Sequence, residues 1–81
     1  MPENELEKVI WRMPVNGSTQ IDAIGENIDR PNTLYVKFVR GGTYAYDGTT
    51  PFEYDGLIRA KSPGSFLAKN VKNIFPFRKL A

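Results

Sequence analysis

VRGGTYAYDG, residues 39–48, decides how this 81-residue chain folds. Val39 closes an alternating run, Gly41 and Gly42 form a tight turn, and Tyr44 and Tyr46 begin the return strand. The run before it, TLYVKFV at 33–39, is the strongest strand pattern in the chain. Leu34, Val36 and Phe38 point one way; Tyr35, Lys37 and Val39 point the other. The loop length then settles which side the two tyrosines join. A two-residue loop pairs residues of opposite parity and places Tyr44 and Tyr46 with Tyr35, Lys37 and Val39. A three-residue loop with a glycine bulge keeps parity and places them with Leu34, Val36 and Phe38. The second register gathers the large apolar groups on one face. Burial at about 25 cal/mol per Å² of apolar surface favours it. The hydroxyls can still reach the rim of the core.

Working outward, Asn16, Gly17 and Ser18 signal a turn, and TQIDAIGE at 19–26 reads as another strand. Residues 27–32 connect it to the central run. Residues 43–47 return antiparallel after the glycines. Residues 1–14 are ambiguous. Leu6, Val9, Ile10 and Met13 have helical spacing, while Val9, Ile10 and Trp11 also suit a short strand that Pro14 ends. Trp11 is expected to cap the core from outside.

After Gly48 the period becomes helical. Thr50, Pro51 and Glu53 make a capping box with proline at the first helical position. Tyr54, Leu57 and Ile58 form its apolar stripe, and the helix should stop near Lys61. Ser62 and Pro63 repeat the start signal. In this second helix Leu67, Val71, Ile74 and Phe75 form the apolar stripe. Lys69 and Lys72 lie opposite, with Ser65 and Asn73 beside them, and Pro76 ends it. The expected fold class is therefore α+β. It is a three-stranded antiparallel β-meander, with room for a fourth strand from the N-terminal element. Two short C-terminal helices pack on one face.

The ordered series carries a family resemblance. Pro14-Val15, Ser18 to Ile21, Ile24-Gly25, Leu34, Val36, Phe38 and Gly41 lead into Tyr44-Ala45-Tyr46, Gly48 and Pro51. Tyr54, Leu57, Ala60, Ser62, Gly64 and Phe66 follow in register. This run resembles the KTSC domain, found at the C-terminus of some lysyl-tRNA synthetases and as small stand-alone bacterial and phage proteins. It departs at Glu26 and Asn27, where the family often has Tyr-Asp, and at Arg40-Gly41, where it often has Asn-Gly. The layout is then an N-terminal extension (1–13), a KTSC-like domain (14–76) and a basic tail (77–81). The resemblance implies this fold and a suggested role in RNA binding. It implies no catalytic residue and no cofactor.

Composition narrows the chemistry. The chain has no cysteine and no histidine, which excludes Cys/His zinc sites and Ser-His or Cys-His nucleophilic catalysis. A hydrophobic fraction of 41% supports a packed core, though a small one. No apolar run reaches a membrane span, and MPENELEK is too polar for a signal peptide. A cytoplasmic location is the natural expectation. Glu53, Asp47, Asp29 and Asp55 already have local roles at caps and turns, so paired catalytic carboxylates are not expected.

The net charge of +2 hides an asymmetry: residues 1–29 sum to −4, and residues 59–81, without an acid, to +6. Cations for phosphates would come from Lys37, Arg40, Lys69, Lys72, Arg78 and Lys79. Rings for bases would come from Tyr44 and Tyr46, or Tyr35. These residues are the candidate site for RNA or single-stranded nucleic acid. The alternative is a protein-interaction or regulatory module of phage or mobile-element type. There the acidic head, basic tail and the pair Phe75 and Phe77 would dock a host or cellular protein.

Overall fold

A computed structural model describes residues 5–81. The first four residues of the expected extension lie outside the described residues. A short 3₁₀ turn, Glu5–Lys8, leads into β1 (Ile10–Arg12). Then come β2 (Ile21–Asn27), β3 (Arg30–Phe38) and β4 (Thr43–Asp47). The helices α1 (Pro51–Arg59) and α2 (Pro63–Asn70) precede β5 (Phe77–Lys79). The sheet is antiparallel throughout, in the order β1-β2-β3-β4-β5. The class is α+β, and five strands replace the expected three or four. β1 is the fourth strand for which the N-terminal element left room; the unexpected one is β5, a three-residue edge strand too short to show a period of two in the sequence.

The hairpin takes the three-residue loop. Lys37 pairs with Thr43, Val36 with Tyr44 and Leu34 with Tyr46. The Phe38 amide donates to the Gly42 carbonyl at 3.1 Å, closing residues 39–41. Gly41 and Gly42 sit at φ of 127° and 88°, where a side chain would strain the backbone. The tyrosines therefore share the face of Leu34, Val36 and Phe38. β2 reaches the same face by a bulge. Ile21 lies opposite Phe38 but Ala23 lies opposite Lys37, so Ile21 and Ile24, three apart, point the same way. β2 begins at Ile21, two residues later than expected. The Ser18 hydroxyl accepts from the Gln20 and Ile21 amides, each at 3.1 Å, and holds a turn there.

The helices start where their caps predict. The Thr50 hydroxyl accepts from the Phe52 amide at 3.3 Å, and Glu53 accepts from the Thr50 amide at 2.8 Å. Ser62 accepts from the Ser65 amide at 3.4 Å. α2 is shorter than its apolar stripe suggests. The Val71 and Lys72 amides both donate to the Leu67 carbonyl; the second, spanning five residues, widens the last turn and ends the helix. Val71 stays buried, Phe75 is half-buried, and Ile74 turns out to solvent with 61% exposure. The expected place of Ile74 in the stripe is corrected by that early stop. The core joins Ile21, Ile24, Leu34, Val36 and Tyr46 of the sheet to Leu57, Leu67 and Val71 of the helical segment.

Where the helices meet, a Cβ on Gly56 would stand within the ring of Phe66. Alanine normally strengthens a helix interior by about 1 kcal/mol over glycine. Here the ring must move, so Gly56→Ala should instead destabilise by about 1–3 kcal/mol. Urea unfolding midpoints for the two proteins check the sign.

Candidate functional site: an aromatic groove with a basic rim

The two faces of the sheet differ in chemistry. On the face away from the helices, one row runs across all five strands: Trp11, Gly25, Tyr35, Ala45 and Arg78. Trp11 lies across Gly25, where a Cβ would come within 2.9 Å of its ring. Lys37 sets its ammonium 4.6 Å from the Trp11 ring. Tyr35 is fully buried and donates its hydroxyl to Glu5 at 2.6 Å. Arg78 forks between Glu5 at 2.6 Å and Asp47 at 2.7 Å, and Arg30 also reaches Glu5 at 3.1 Å. Arg78 thus ties the two termini of the chain across the back of the sheet.

The titrations follow from that geometry. The Arg78 hydrogen bond holds the Glu5 carboxyl below its usual range against some desolvation, and the bond from Tyr35 adds to this. The same guanidinium lowers Asp47, helped by Thr33. Burial first, then Glu5, raises the Tyr35 hydroxyl.

The helix-side face is open at its β4–β5 end. α1 packs over β2 and β3, and α2 packs on α1. Beyond them lies a groove of about 330 Å³, lined by Phe38, Gly41, Tyr44, Tyr46, Lys72 and Phe77. Tyr44 meets Phe38 edge-on with ring centroids 5.5 Å apart, and Phe77 at 5.7 Å in a tilted contact. Phe77 is 59% exposed, and Tyr46 closes the floor at 3%. Burial, then the neighbouring Tyr44, raises the Tyr46 hydroxyl, which stays neutral. Lys79 lies opposite Tyr44 on β5, and its stem passes by Gly42 at the rim. Arg40 stands on the hairpin loop next to Gly41 and Lys72.

The sequence-predicted residues therefore divide. Tyr44, Tyr46, Arg40, Lys72 and Lys79 come together around the groove. Lys37 and Arg78 lie on the opposite face, and Tyr35 with them. Lys69 is exposed on α2 and lines none of this groove. Phe38 and Phe77, read as core and tail, are its walls. Phe77 lies on a strand of three residues, too short to leave an alternation in the sequence that would have signalled its place. Among the described residues, Arg40, Lys61, Lys69, Lys72 and Lys79 form no ion pair. Nor does any cluster of acidic side chains suited to a metal occur among them. Among the described residues, no helix is long and apolar enough to cross a membrane.

A five-stranded antiparallel sheet with two capped helices on one face defines a small α+β domain. The KTSC domain model matches residues 17–75, and the chain belongs to that family. It is similar to a KTSC domain protein of Yersinia pestis known from a crystal structure. The two share 30% identity at a TM-score of 0.78, over 90% of this chain and 99% of that one. The chain has no match among curated proteins.

The ionic cluster makes a pH-dependent contribution. Both carboxyls have lowered folded values, so their stabilisation is complete above the ordinary carboxylate range. It is lost as pH falls through the lowered values. Arg78→Met should lower stability near neutral pH by about 1–2 kcal/mol, with Arg78 partly exposed and screened. It should also flatten the fall in stability below about pH 4. Urea titrations at several pH values check both effects; parallel curves for the two proteins would remove the assigned role.

Proposed function

We propose that this domain is a non-enzymatic binder of RNA or other single-stranded nucleic acid, with the aromatic groove as its base-stacking site. One observation carries the reading: the partly buried ring of Tyr44 and the exposed ring of Phe77 stand beside cations that, among the described residues, have no acidic partner. Bases stack on such rings whatever their identity, while unpaired lysine and arginine receive the phosphates. An unpaired cation loses nothing by turning to a phosphate, whereas Arg78 would have to give up Glu5 and Asp47. The residues lining the groove offer two phenols and one ammonium group but no carboxylate, which suits binding and supplies no carboxylate base.

Fluorescence anisotropy with a labelled mixed-sequence RNA measures this directly. Three cations at the rim predict a slope of about −2 for log K against log salt. Lys72→Ala should weaken binding and make that slope shallower by about 0.7. Tyr44→Leu, which keeps an apolar filler but removes the ring, should weaken binding about tenfold. Lys37→Ala removes the same charge from the opposite face and should leave both quantities unchanged. No binding at low salt, or a flat salt response, would overturn the reading. The groove would then fall to a protein segment, the alternative that the exposed Phe77 ring favours.

A further inference from the structure

Lys72 borders three depressions at once. The aromatic groove is the first. The second, about 560 Å³, lies beside the hairpin loop and is bounded by Gln20, Phe38, Arg40 and Lys72 among others. The third, about 530 Å³, lies between the loop before β2 and the start of α2. Ser18, Gln20, Lys61, Ser62, Ser65 and Lys72 face it. Adjacent depressions share walls. Phe38, Gly41 and Lys72 bound the first and second; Thr19, Gln20 and Lys72 bound the second and third. They form one strip bent around Lys72.

The strip is graded along its length. Its β4–β5 end is aromatic. Its α2 end is made of hydroxyls, an amide and an ammonium group. Gly64 leaves room for the Gln20 amide at that end: a Cβ there would stand 2.5 Å from Gln20 Oε1 and would push the side chain aside. Among the described residues, no acidic side chain borders any of the three depressions. Asp22 and Glu26 sit elsewhere on β2.

We infer that the ligand of the aromatic groove continues along this strip. The site takes a strand of several nucleotides, with bases stacked at the Tyr44 end. The sugar–phosphate backbone is drawn past Lys72 and Arg40 to Lys61 and the serine hydroxyls. A nucleic-acid strand has the same gradation, flat apolar rings on one side and anionic oxygens with hydroxyls on the other. An acidic polypeptide matches the α2 end but leaves the ring faces without stacking partners. This inference rests on the nucleic-acid reading above, and it adds length and direction to the site.

The test uses the full chain and labelled oligouridylates of about four and about ten nucleotides. The longer strand should bind about tenfold tighter and with the steeper salt dependence. Lys61→Ala should weaken the longer strand about threefold and make its salt slope shallower by about 0.7, leaving the shorter strand unchanged. Tyr44→Leu should weaken both. Lys61 is exposed, so its variant folds, and a thermal melt checks each protein. If Lys61→Ala affects both lengths alike, or neither, the extension is wrong while the Tyr44 response still supports the groove. If neither length binds, the nucleic-acid reading fails and the extension with it. Displacement of the longer strand by polyglutamate, with Tyr44→Leu silent, would assign the strip to acidic protein segments and overturn it.

Discussion

The turn at Gly41 and Gly42 sets the parity of the sheet, and the rest of the molecule depends on it. Two successive residues at positive φ let a three-residue loop close between Phe38 and Gly42. That loop puts Tyr44 and Tyr46 beside Val36 and Leu34, and puts Ala45 beside Tyr35. A slip of one residue would exchange every side chain between the faces. The helices would then meet Ala45 instead of Tyr46. The Arg78 cluster would lose its place opposite Glu5, because Arg78 pairs with Ala45 across the same ladder. The small β4 residue Ala45 is also what lets the back face close tightly over Tyr35.

The groove exists because α2 stops early. A helix continued through Phe75, as the apolar spacing suggests, would carry Ile74 toward the sheet and cover Tyr44. Instead the turn after Asn70 leads the chain past the sheet. It returns as β5 on the outer side of β4, with the Pro76 carbonyl accepting from the Asp47 amide at 3.0 Å. β5 gives β4 a partner and so removes a bare edge. Its alternation sends Arg78 to the ionic back face while Phe77 and Lys79 border the groove. One three-residue strand thus serves stability on one face and the site on the other.

Much of the fold was legible because it is written in local chemistry. The proline-led caps at Thr50 and Ser62 are short-range signals, and both helices begin there. The alternation of residues 33–39 and the glycine pair gave the hairpin and its register. The turn at Ser18 and the candidate strand before Pro14 were legible; the bulge at Asp22, the pairing of β1 and the strand β5 were not. Each depends on a partner distant in sequence: β1 pairs with β2 across a long loop, and β5 with β4 across both helices. The site was legible as residue types and not as an arrangement. Tyr44, Lys72 and Lys79 were singled out by chemistry alone. So were Lys37 and Arg78, and only the sheet's two faces separate the groups. Lys61 was visible only as one more cation, because its closeness to Gln20 and Lys72 is a product of how α2 lies against the loop.

A net charge of only +2 weighs against a polyanion ligand for the chain as a whole, but the ion pairing makes the local charge different from the total. Acidic and basic residues are sorted in space. Glu5 and Asp47 are satisfied by Arg78 and Arg30, Asp29 by Lys8, and Asp55 by Arg59. Those pairs neutralise the back of the sheet and the outer side of α1. Among the described residues, the cations left without ion-pair partners include Arg40, Lys61, Lys72 and Lys79, and these border the acid-free strip or its rim. A ligand in the strip meets the local field, because charges beyond about 10 Å are screened at ordinary salt. Net charge averages over distances that the ligand does not feel. For a domain of this size, gathering several unpaired cations along one acid-free strip makes a locally basic surface from a nearly balanced composition.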